Sequence, residues 1–238
     1  NNLSNRILID AGVKIVGKVL DGQPSDEICR YAYKSNTSLI VMGTHGTSGF
    51  REFFIGSEAF RVIKNAHCPV LTIPGNWQKT EFEKVLFPVR LKAGAIEKYF
   101  YARPIIEKNN SELFLLGLGD KKSPRQIKEL VSLIDRLKVQ LHNDNVEFQT
   151  AYCPSENFPN TVIDTAKRSQ SDLIVLTANL DCDFKVYFIG SYTQQIVNHS
   201  PLPVLSIKPK RMRTQPDSTL KLAERWGKTI SFSDLNPK

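Results

Sequence analysis

No apolar run in this sequence approaches the roughly 18 residues that a membrane-spanning helix requires. The longest candidate, Leu113-Phe-Leu-Leu-Gly-Leu118, has the length of a strand. Cysteine is scarce as well. The four present (Cys29, Cys68, Cys153, Cys182) form no CxxC pair and no metal-ligand spacing with the four histidines. Zinc-ribbon and thioredoxin-type sites are thereby excluded, and buried reduced thiols in a cytoplasmic protein become the expectation. No carboxylate pair, Ser-His-Asp set or Walker-type lysine after a glycine loop is evident, so no catalytic residue and no metal site is expected. An aromatic-interleaved platform of the kind single-stranded nucleic acid prefers is also missing. The formal net charge of +8 would suit acidic partners, but much of it lies around Lys208, Lys210, Arg211 and Arg213. A short basic run of that kind reads as solvated surface. Neither a nucleic-acid nor a membrane partner is expected.

What the chain has is a repeat. Residues 41–57 (VMGTHGTSGFREFFIGS) align without gaps on 175–191 (VLTANLDCDFKVYFIGS), and the same register carries Pro69-Val-Leu-Thr-Ile73 onto Pro203-Val-Leu-Ser-Ile207. Upstream, 13–20 and 146–153 match as strands, and 25–35 and 160–169 match as helices. A linker is expected near 75–83, where polar residues replace the apolar pattern. The second copy reads whole: strand 84–89, helix 94–108 with Pro104 in its last turn, and strand 112–118. A long helix then starts at Ser123-Pro124, serine as cap and proline at the first position. Strand 146–152, helix 158–169, strand 172–177, helix 191–199 and strand 203–207 complete it. Strands alternating with helices, with unbroken apolar strand runs, argue a parallel sheet covered on both faces. The first copy enters late, at a helix end marked by Leu3, Ile7, Leu8 and Ala11. Its unpaired strand edges would be an aggregation liability, so an upstream segment or another chain is expected to cover them.

Chemistry concentrates at one turn. Leu39 to Met42 read as a strand, Gly43-Thr44-His45-Gly46 as its exit, and Gly56-Ser57, nine residues on, as the start of a helix through Asn65. Glycine allows close backbone approach to a ligand, and a helix start presents unpaired N–H groups that suit an anion. Strand, glycine turn and Gly-Ser at a helix start together point to a nucleotide phosphate.

The pattern Gly-x-x-Gly, nine residues, Gly-Ser, with Leu39-Ile-Val-Met before it and Ala66-His-Cys-Pro-Val-Leu-Thr-Ile-Pro74 after it, resembles the ATP-binding signature of the universal stress protein family. The resemblance implies an α/β fold: two flavodoxin-like or Rossmann-like (HUP-type) parallel-sheet domains in tandem, forming a pseudo-twofold pair through their last strands, 70–73 and 204–207. The organisation expected is the C-terminal part of a first domain over 1–75, a second, degenerate domain over 84–210, and a tail over 211–238. That tail carries a short helix near Leu222 and Trp226, docked on its own domain. A further doubling to a homodimer is in keeping with the family.

The implied cofactor is ATP, with magnesium as an assisting ion. Met42, Gly43, Thr44, Gly46, Gly56 and Ser57 form its site. Met42 has core packing as an equal alternative role, while His45 and Arg51 read as surface. Glu58, in the first turn of the helix, would compete with a phosphate for the same N–H groups. In the second copy Thr177 replaces Gly43 and Leu180 replaces Gly46, and Asn179, Asp181 and Asp183 sit in the loop. Arg90 ends the strand 85–89 where nucleotide-binding members carry an aspartate. The second copy is therefore expected to be a degenerate site with a structural role. Two readings stand: a regulatory stress protein that binds adenine nucleotide, with at most slow ATP hydrolysis, or a signature-degenerate scaffold that binds a protein partner and no nucleotide. An ATP-using enzyme of the related hydrolase group ranks below both.

Overall fold

The computed structural model describes residues 14–44, 56–120, 123–178, 180–181, 188–189 and 191–208. The expected N-terminal helix end, His45, Gly46, Arg51, Asn179, Asp183 and the tail from 209 lie outside these residues. The elements run α1 (Pro24–Lys34), β1 (Ile40–Gly43), α2 (Ser57–Asn65), β2 (Val70–Ile73), β3 (Lys84–Val89), α3 (Lys98–Asn109), β4 (Glu112–Gly119), α4 (Pro124–Asn143), β5 (Phe148–Pro154), α5 (Phe158–Arg168), β6 (Leu173–Thr177), β7 (Leu180–Asp181), β8 (Phe188–Ile189), α6 (Ser191–His199) and β9 (Val204–Ile207).

Seven strands form one sheet in the order β1-β2-β9-β6-β3-β4-β5, while β7 and β8 form a separate ribbon. Every neighbouring pair in the large sheet is parallel except β2 and β9, which run antiparallel with Leu71 opposite Leu205. The last strands of the two copies therefore pair within the chain, as their resemblance implies. At that junction the buried Thr72 hydroxyl donates to the Val204 carbonyl at 3.2 Å.

Period-two alternation splits the core into two halves. Leu86, Leu116, Ile174, Leu176 and Val204 pack on one face with Val62, Val162, Ala166 and Ile196 from α2, α5 and α6. Val85, Phe87, Leu113, Leu115, Val175 and Leu205 pack on the other with Tyr99, Ile106, Leu130, Ile134 and Leu141 from α3 and α4. Both faces are covered, which is why these strands read as continuous apolar runs. Each fully buried leucine or isoleucine contributes roughly 1.5–3 kcal/mol. Four helices end on a left-handed residue, Asn36, Asn110, Asn145 and Gln170 (φ 50–54°), which closes the last turn.

The repeat extends to single hydrogen bonds. The Ile40 amide donates to Pro69 O, and Ile174 to Pro203 O, each at 3.0 Å. Ala66 to Val62 O and Ser200 to Ile196 O are likewise equal, at 2.8 Å. Across the linker, buried Asp172 accepts from the Lys84 amide at 3.0 Å and from the Lys79 ammonium at 2.6 Å.

Two expectations are corrected. Residues 14–20 form no strand, and Val16, Val19 and Leu20 are exposed, Val19 to 95%. The composition suits a strand, but a strand exists only against a partner, and β1 is an edge. The helix expected over 94–108 begins at Lys98, because 91–97 are turns with Gly94 at φ 74°. Pro104 is accommodated inside it.

Candidate functional site

The glycine turn is built by the sheet. Gly43 closes β1 opposite Ile73, and the next residue, buried Thr44, donates its amide to the Ile73 carbonyl at 3.1 Å. The Thr44 carbonyl then accepts the Gly56 amide at 2.7 Å. One short hydrogen bond thus brings the end of β1 against the start of α2, although eleven residues of chain separate them. Gly56 is the N-cap of α2, and Ser57 is its exposed first residue. Helix geometry leaves the first amides of α2 without intrahelical acceptors. Met42 is half-buried against the core, in keeping with its packing alternative. Of the six expected site residues, Met42, Gly43, Thr44, Gly56 and Ser57 sit along this junction. Gly46 lies outside the described residues.

Among the described residues nothing demands glycine at 56. Its φ of −58° is open to any residue, and an added Cβ would meet only Thr44 O, at 3.5 Å, an ordinary contact. The room left at this glycine among the described residues suits a ligand that approaches the backbone closely.

Glu58 does not compete for these amides. Its carboxylate turns to the start of the neighbouring helix, where it accepts from the Ser25 amide at 2.8 Å and from the Gln23 side chain at 2.9 Å. Arg61 lies 3.2 Å away on its own helix. The Ser25 amide, foremost, holds this carboxyl below the usual glutamate range. The expected competition fails because a second helix N-terminus offers the carboxylate partners of its own.

The second copy keeps the sheet end but surrounds it with different side chains. The Ala178 amide repeats the Thr44 bond, donating to Ile207 O at 2.8 Å. The Thr177 hydroxyl donates to Gly94 O at 3.1 Å, and the Thr193 hydroxyl to Thr177 O at 3.4 Å. Beyond Thr177, Leu180 and Asp181 enter the β7–β8 ribbon, Leu180 opposite Ile189. The Arg90 guanidinium lies over two rings, 4.2 Å from the centroid of Tyr192 and 4.9 Å from that of Phe158.

One residue here escaped sequence reasoning. Lys98 is buried, donates its ammonium to Pro88 O and lies 4.3 Å from the Phe87 ring centroid. Burial, reinforced by Arg90, lowers its pKa to about 7. A lysine at a helix start gives no sequence signal of burial. Among the described residues no cluster of three metal-ligating side chains exists, and no helix is long and apolar enough to cross a membrane.

Comparison with known proteins places this geometry. Residues 4–74 match the model of the universal stress protein family. Over 62 residues the chain is 53% identical to Universal stress protein MJ0531 of Methanocaldococcus jannaschii, a match spanning 26% of this chain and 36% of that protein. It is 35% identical over 66 residues to Universal stress protein MJ0577 of the same organism, covering 28% and 41%. The chain thus spans less than half the length of these curated relatives. Among solved structures, a universal stress protein from Archaeoglobus fulgidus DSM 4304 superimposes with a TM-score of 0.70 at 19% identity, over 88% of this chain and 76% of that one. Residues 4–74 therefore belong to the universal stress protein family, and the seven-stranded body shares its fold with a universal stress protein.

Proposed function

We propose that the chain is a regulatory stress-response protein that binds ATP at the glycine turn of its first repeat. Gly43, Thr44, Gly46 and Gly56 present backbone to the phosphates, Ser57 adds its hydroxyl, and Met42 lies beside the sugar or base. The observation that carries this reading is the Thr44–Gly56 hydrogen bond. It holds a strand end and a helix N-terminus side by side, with an uncrowded glycine between them. Charge-assisted hydrogen bonds contribute roughly 1.5–3 kcal/mol each, so a few of them support micromolar affinity. Magnesium would arrive with the nucleotide, held by its phosphates. The role is binding rather than turnover, with slow hydrolysis as the upper limit, in a cytoplasmic setting.

In the same reading the two repeats form a pseudo-twofold pair inside the chain, over 1–75 and 84–210, and the body doubles to a homodimer. In this reading the second repeat is structural with respect to nucleotide: Arg90 lies on Tyr192, the Thr177 hydroxyl is bonded to Gly94 O, and Leu180 stands in a strand pair where the first repeat has a glycine. Calorimetric titration of the full chain with magnesium ATP tests the proposal. Micromolar binding that Gly46→Val abolishes supports it.

One observation favours the scaffold reading. Val16, Val19, Leu20, Val41 and Tyr33 are exposed on the first repeat, where β1 is a sheet edge, and apolar surface beside an open edge invites a protein partner. That reading requires the titration to be silent in the wild type.

A further inference from the structure

Where the second repeat departs from its nucleotide-binding counterpart, the departure is not random. A cavity of about 20 Å³ lies at the ends of β3 and β6, lined in part by Arg90, Lys92, Lys98, Thr177 and Tyr192. Three of these side chains are cations, and no carboxylate lines the cavity among the described residues. None of the three is ion-paired among the described residues.

This arrangement is costly when empty of negative charge. Lys98 as a residue is only 3% exposed, and the one hydrogen bond of its ammonium among the described residues goes to a backbone carbonyl. Arg90 acts on it as a like charge, an effect that the neighbouring Glu97, which does not line the cavity, offsets only in part. A buried cation is ordinarily paired or neutralised. Two cations converging on one cavity without a carboxylate are the arrangement an anion would relieve. The Arg90 guanidinium is held over the rings of Tyr192 and Phe158, contacts that use none of the N–H donors a planar acceptor would take.

Size narrows the class. One water-sized occupant needs on the order of 10–15 Å³, so the cavity admits one or two. A drug-sized ligand needs roughly 300–1,000 Å³, so a nucleotide is excluded. We propose that this cavity is a binding site for a compact monovalent anion, a formate-sized carboxylate or a halide, held by Arg90, Lys92 and Lys98. The second repeat is then a ligand site of changed chemistry rather than a lost one, and the inference is independent of nucleotide binding in the first repeat.

The test uses the full chain at pH 6, where Lys98 is protonated, and at fixed ionic strength, titrated with sodium formate, sodium chloride and, as a carboxylate too large for the cavity, sodium gluconate. The Arg90 side-chain Nε–H resonance is followed by NMR. The expected result is a saturable shift with formate or chloride and none with gluconate. Formate saturating without chloride identifies a carboxylate ligand, and chloride saturating a halide. Lys98→Met, which replaces a buried cation with an apolar chain of similar length, weakens binding about tenfold or more. Lys92→Met, at the cavity mouth, provides the same reading if Lys98→Met fails to fold. A linear, unsaturable response, an equal response to gluconate, or unchanged affinity in the folded lysine variant would overturn the proposal. So would Asp183→Asn moving the Arg90 resonance while formate and chloride do not, since the chain's own carboxylate would then be the anion.

Discussion

The Glu58 carboxylate, on the first turn of α2, accepts the Ser25 backbone amide at the first turn of α1, at 2.8 Å. One acidic side chain thereby caps a helix 33 residues earlier in the chain rather than its own. Acidic groups near helix N-termini are stabilising, and here the benefit goes to the neighbour.

The consequence is an acid-sensitive contribution to stability. The Ser25 hydrogen bond depresses the folded-state pKa of Glu58. Its contribution is therefore present above the ordinary glutamate pKa of about 4.3 and is lost as pH falls through the depressed folded value. Glu58→Gln should be less stable than wild type at pH 7 in urea denaturation, and the gap should narrow on acidification. A gap constant with pH would show that the charge plays no part.

Lys98 predicts a slope of the same sign in a higher pH window, because there a penalty is relieved rather than a bond kept. Its folded pKa of about 7 lies below the unfolded value of about 10.4, so between these limits the unfolded chain binds a proton that the folded one does not. In buffers free of halide and small carboxylates, this group should make the protein more stable as pH rises from 7 toward 10, by up to ~1.4 kcal/mol per pH unit. Lys98→Met should remove that slope and be the more stable protein at pH 7. Denaturant midpoints across the range check both statements.

Gly117 is glycine for a packing reason. An added Cβ would stand 2.6 Å from Tyr152 Cδ1 and 2.9 Å from Ile134 Cδ1, and the Ile134 side chain is fully buried. Gly117→Ala should cost about 1–3 kcal/mol. Adding Tyr152→Ala should return part of that loss, and a double-mutant cycle on denaturation free energies measures the coupling.

How much of this was legible depends on whether the cause is local. The apolar stripe through Leu130, Ile134, Leu137 and Leu141 specified α4, and Ser123-Pro124 marked its start, where the Ser123 hydroxyl caps Gln126 at 3.5 Å. The strand runs were readable because both sheet faces are covered. Residues 14–20 were not, because apolar β-branched composition forms a strand only where a neighbour supplies hydrogen bonds. The turn from Gly43 to Ser57 was legible as a spacing, but the Thr44–Gly56 bond that gives the spacing its meaning is a tertiary contact. The burial of Lys98 and the partner of Glu58 are set entirely by residues distant in sequence or by packing, and no local pattern announces either.

Gly56 offers a clean separation of fold from ligand. With φ at −58° and only an ordinary contact in the way of a Cβ, Gly56→Ala should change stability by no more than about 1 kcal/mol. It should nevertheless weaken ATP binding markedly, as calorimetry of the folded variant would show. Unaltered affinity would mean that the space above residue 56 serves no ligand.

The most direct measurement is the amide NMR spectrum of the full chain brought to saturation with magnesium ATP. The account predicts that the signals of Thr44, Gly56 and Ser57 move together and saturate, while those of Thr177 and Tyr192 in the second repeat stay in place. Unmoved signals at Thr44, Gly56 and Ser57, or shifts confined to the second repeat, would contradict it.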